Sequence, residues 1–102
     1  MDGSTPLMVA VMQKDNELVS LLVDAEANVN AIDSTGCSAL MLAAEEGDLT
    51  IVKALLEAGA QADLANKDGK TAIQIASEVG HADVIGELAK IFTYEGASEL
   101  EV

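Results

Sequence analysis

Apolar residues occur along this chain in short bursts, each closed by a polar or glycine-containing break. Leu40-Met41-Leu42-Ala43-Ala44 predicts a short helix whose alanines let a neighbouring helix approach closely. Gly47 breaks that helix, and Asp48 is placed to cap a second one. Ile51, Val52, Leu55 and Leu56 give this second helix a buried face at helical spacing. Gly59 stands where a left-handed residue would end it, and residues 60–67 lead away as an extended, mostly polar arm.

The same burst occurs three times. Gly3, Gly36 and Gly69 lie 33 residues apart. That step also joins Leu7, Leu40 and Ile73; Ala10, Ala43 and Ala76; and Leu18, Ile51 and Val84. It joins Val19, Val52 and Ile85, and then Leu22, Leu55 and Leu88. Each glycine suits a tight turn, and Thr5, Ser38 and Thr71 follow as hydroxyl caps for the first helix of each copy. Pro6 opens the first copy's helix, where its missing N–H costs nothing, and Thr71 and Gln74 have capping-box spacing. One helix-turn-helix unit cannot cover its own apolar flanks, so such copies stack side by side.

These residues resemble the ankyrin repeat over about residues 2–92, with Asp2-Gly3-Ser4-Thr5-Pro6-Leu7, Gly59-Ala60 and Asn28-Val29-Asn30-Ala31 at the places of the family's motifs. The resemblance implies an all-α solenoid of three helix-turn-helix repeats joined by short β-hairpins. The repeats would cover about 2–34, 35–67 and 68–92, followed by an acidic tail over 93–102. The His that closes the family's Thr-Pro-Leu-His motif is replaced by Met8, Met41 and Gln74. Glu26 stands in the first copy's place for the helix-ending glycine, at an expected cost of about 1 kcal/mol if the left-handed geometry persists. Phe92 holds that place in the third copy, so the last helix is expected to run on, weakened at Gly86 by about 1 kcal/mol. Residues 90–102 leave the repeat pattern and are expected to fray. The first copy has no polar cap ahead of it, so Leu7, Val11, Leu18 and Leu22 are expected to leave part of an apolar face bare, within a longer array or against a partner.

Composition narrows the function. Of 102 residues half are hydrophobic, with Phe92 and Tyr94 the only aromatics. The net charge is -13 and all five basic residues are Lys, a balance that repels phosphate backbones and anionic membranes. Cys37 is the only cysteine, so no intramolecular disulfide forms; a lone thiol without a signal-peptide pattern fits a reducing, intracellular (cytoplasmic) setting. One Cys and one His, His81, cannot assemble a usual zinc set, and no phosphate-binding loop or Ser/His/Asp grouping is present. No cofactor and no enzymatic activity are expected, and His81 reads as structural.

The resemblance implies binding of a protein partner through the hairpin tips and the concave surface of the first helices. Carried over by position, that surface is Ser4, Met12 and Gln13 in the first copy. In the second it is Ile32, Ser34, Thr35, Cys37, Glu45 and Glu46, and in the third Ala65, Lys67, Asp68, Lys70 and Glu78. These positions differ in chemistry from copy to copy while the core positions recur, as partner contacts and unconstrained surface both would. Glu45, Glu46 and Glu78 form either an acidic strip for a basic partner or ordinary solvated charge. Cys37 is expected to be exposed, and Met8, Met12 and Met41 to fill the core, with Met12 within reach of the exposed surface. The chain is expected to be a monomer, or paired through the uncapped N-terminal face. Two further readings stay open: a segment that positions a neighbouring catalytic or channel domain, and a Leu100-Glu101-Val102 ending suited to strand addition in a PDZ groove.

Overall fold

The computed structural model describes residues 3–100, with side chains described over residues 3–91. Six helices follow one another: α1 (Pro6–Met12), α2 (Asn16–Asp24), α3 (Ala39–Glu46), α4 (Leu49–Glu57), α5 (Ala72–Val79) and α6 (Ala82–Leu100). They form three antiparallel pairs. α1, α3 and α5 pack in one row, α2, α4 and α6 in a second, and each pair touches the next through both rows.

Capping fixes where the helices begin. Thr5, Ser38 and Thr71 accept from the amides of Met8, Met41 and Gln74, and Asp15 and Asp48 from those of Leu18 and Ile51. Each such cap stabilises by about 1 kcal/mol. The capping box at Thr71 and Gln74 is complete, and Pro6 opens α1. Left-handed residues close the helices. Gly47 and Gly80 end α3 and α5, and Gly59 follows α4. The left-handed geometry does persist at Glu26, with φ 64°. Lys14, at φ 58°, is a second non-glycine in that region, standing one repeat step before Gly47.

The hairpin connections are short: among the described residues the antiparallel bridge between Ile32 and Ser38 stands isolated. The reason is that side-chain oxygens of Asp33 and Asn66 capture the turn amides that a longer ladder would use. As expected, the last helix runs on past position 92, and α6 reaches Leu100; Glu101 and Val102, and with them the proposed PDZ-type ending, lie outside the described residues.

One expectation needs correction: Leu7 and Val11 are buried, not bare. Positions 7, 8 and 11 face the following pair: Leu7, Met8, Val11, Leu40, Met41 and Ala44 are covered, whereas Ile73 is half-buried and Gln74 and Ser77 are exposed. Positions 18 and 22 face the preceding pair, so Leu18 and Leu22 are only half-buried while Ile51, Leu55, Val84 and Leu88 are fully covered. On the first pair the exposed apolar residues include Val9 and Leu21, at 39% and 59%. Helical periodicity shows that a face is apolar; it does not show which neighbour covers it.

Candidate functional site

The turns between pairs are built from one carboxylate and its isostere. Asp33 accepts from the Thr35 hydroxyl at 2.7 Å, the Thr35 amide at 2.8 Å and the Cys37 amide at 3.0 Å. The Thr35 hydroxyl bond is the main reason that the Asp33 carboxyl is held below its ordinary value; the Cys37 and Thr35 amides and the Lys67 charge add to it, against partial desolvation. In the next turn Asn66 does the same work, accepting from the amides of Asp68 at 2.9 Å and Lys70 at 3.1 Å. The two turns are tied together by the Lys67 amide, which donates to the Thr35 carbonyl at 3.0 Å. Gly36 lies under this contact at φ 81°, and a Cβ there would sit 2.9 Å from the Lys67 nitrogen. A side chain at that position would therefore wedge the tips apart.

Behind the tips, a groove of about 180 Å³ runs between the Asp33 and Asn66 turns and the row formed by α3 and α5. Leu42 and Val79 give it apolar surface, with the buried Met41 and Ile75 behind them; Cys37, Asn66, Asp68 and Lys70 line it from the turns, and Glu45 and Glu78 from the helices. Lys70 Nζ donates to Glu78 at 2.9 Å, a bond that raises the Lys70 pKa. Glu46, half-buried, lies 3.8 Å from the exposed Lys14, a loose pair. Among the described residues the Glu45 carboxylate has no such partner.

Five residues chosen from the sequence, Cys37, Glu45, Asp68, Lys70 and Glu78, thus line one groove. The others lie outside it. Ile32, Ser34, Thr35, Ala65 and Lys67 are exposed around the turns, Ile32 at 57%. Met12 and Gln13 are exposed at the end of α1, Ser4 is half-buried ahead of α1, and Glu46 is half-buried beside Lys14. Cys37 was expected to be exposed and is half-buried, because the Asn66 side chain reaches across the turn and donates to its sulfur at 3.8 Å. The acidic strip is also less acidic than three glutamates suggest, since Lys14 and Lys70 each pair with one of them.

Sequence reasoning missed Asn66, Leu42, Ile75 and Val79. Val79 left a readable signal: it is apolar where Gln13 and Glu46 hold the same repeat position, and it is half exposed. His81 joins two pairs, its Nε2 meeting the Glu45 carbonyl at 3.0 Å. Among the described residues no group of three or more His, Cys, Asp or Glu is arranged to hold a metal ion. None of the described helices is long and apolar enough to cross a membrane.

A family model for ankyrin repeats, in three copies, matches residues 1–66. No curated protein matches the chain.

Proposed function

The chain belongs to the ankyrin-repeat family, and from that premise we propose an intracellular adaptor or regulatory module that binds a protein partner through its turn tips and the concave α3–α5 face. Ankyrin repeats generally mediate protein–protein interaction. On this reading the repeats are residues 2–34, 35–67 and 68–92, and the partner presents a basic surface. The observation that carries it is the groove: apolar side chains and a surplus of carboxylates meet in one concavity behind the turns. Such a surface combines buried apolar contact with charge steering, the pairing that gives interfaces affinity and orientation.

Affinity capture tests the proposal. The wild-type chain is compared with a variant carrying Glu45→Lys, Glu46→Lys and Glu78→Lys, whose partner should be lost, and captured complexes should weaken as salt rises. A partner retained equally by both proteins would refute the assignment of this face.

One observation favours a second reading, in which the chain positions a neighbouring domain or pairs with another copy. The flank of the first helix pair carries exposed Val9 and Leu21, and beside it a groove of about 260 Å³ is lined by residues that include Pro6, Leu7 and Leu22. Sedimentation at several protein concentrations separates the monomer from the pair.

A further inference from the structure

We propose that the groove between α3 and α5 is an anchor pocket for a single arginine side chain of the partner, and that Lys70 is its internal rival. The proposal rests on the reading that this face binds protein, and adds which side chain it selects.

The pocket is chemically two-sided. Leu42 and Val79 offer aliphatic surface, while Glu45 and Glu78 bring carboxylates to the same concavity. A guest that satisfies both needs a long apolar stem ending in a cation. Arginine and lysine both bury such a stem while keeping the charged head at the rim. Arginine fits better, because its planar fork meets a carboxylate through two parallel bonds and its head is less strongly hydrated.

Lys70 already demonstrates the cation subsite. Its ammonium sits 2.9 Å from Glu78 at the wall of the groove, reached from the turn across eight residues of sequence. The pair is surface-exposed, with 41% and 56% of the two side chains open to solvent, so a better donor can displace it. Glu45 lines the same pocket with its carboxylate unmatched among the described residues, so one lysine faces two glutamates. An incoming guanidinium therefore gains Glu45 outright and competes with Lys70 for Glu78.

Rivalry has a signature that simple charge attraction lacks: removing the protein's own lysine should tighten binding. The test is an NMR titration of the full chain with N-acetyl-arginine methylamide, and with its norleucine counterpart as an uncharged control. The arginine probe should shift the amide resonances of Leu42, Glu45, Ile75 and Glu78, and the norleucine probe should leave them in place. Lys70→Ala should tighten the arginine probe about threefold and Glu45→Gln weaken it about threefold, the scale of one exposed ion pair. Lys53→Ala removes the same charge from α4, away from the groove, and should change affinity less than about 1.5-fold through general screening alone. These residues are exposed, and each variant's own spectrum reports whether it is folded. Unchanged or weaker binding in Lys70→Ala, or equal response to both probes, overturns the proposal. Capture that depends on the three glutamates, beside a pocket that ignores arginine, sinks the anchor and spares the binding surface. A pocket that takes arginine while capture is indifferent to the glutamates sinks the binding surface and spares the anchor.

Discussion

Gly47, Gly80 and Lys14 stand one repeat step apart and share left-handed backbone, at φ 76°, 92° and 58°. Their surroundings differ. A Cβ built at Gly80 meets nothing within 4 Å, whereas one at Gly47 falls 2.5–2.7 Å from the ring of His81. Alanine at position 80 should therefore cost only the left-handed penalty, about 1 kcal/mol. Alanine at position 47 pays that penalty and also pushes the ring off the Glu45 carbonyl, which it meets at 3.0 Å. Losing that hydrogen bond adds about 1 kcal/mol, for roughly 2 kcal/mol in all. His81→Ala alone should cost about 1 kcal/mol, and in its background Gly47→Ala should fall back to about 1 kcal/mol, a coupling of about 1 kcal/mol. Urea unfolding of the four proteins of this cycle, with Gly80→Ala alongside, measures each quantity. Equal costs at 47 and 80, or an excess at 47 that survives removal of the imidazole, would refute the claim that His81 locks the second pair to the third.

Four other substitutions follow from the same structure. Lys14→Gly and Glu26→Gly should each raise stability by up to ~1 kcal/mol by relieving positive φ, read as an increase in Tm. Gly86→Ala on α6 should do likewise by about 1 kcal/mol, since open space surrounds its Cβ position and the helix continues through it. Asp33→Asn should keep the turn at neutral pH, as Asn66 does in the next one. Because the folded Asp33 pKa is lowered, its contribution is present above the unfolded value of about 3.9 and lost as pH falls through the folded one. The stability difference between wild type and Asp33→Asn should therefore shrink in acid, and a constant difference would contradict that assignment.

Much of the fold was legible because its signals are local. Thr5, Ser38, Thr71 and Asp48 precede apolar runs and cap them, and the 33-residue step placed the core residues in register. Lys14 was not legible by type, since lysine carries no turn signal; only its alignment with Gly47 and Gly80 betrays the left-handed geometry. The candidate site was half legible. Glu45, Lys70 and Glu78 could be chosen by position, but the Lys70–Glu78 bond and the Lys14–Glu46 pair span separate elements, so local periodicity does not reveal them. The reach of His81 to the Glu45 carbonyl escapes for the same reason, joining residues 36 apart.

The two flanks of the helix stack are unlike, and this limits how copies can assemble. Where α1 and α3 turn Met8, Met41, Val11 and Ala44 toward the next pair, α5 offers Gln74 and Ser77 to solvent. A fibre grown tip to tail would have to press those amide and hydroxyl groups onto Val9, Leu18 and Leu22, stripping their water without a polar partner to replace it. Between copies of this stack that mismatch favours closed, symmetric pairing through the first helix pair over filaments.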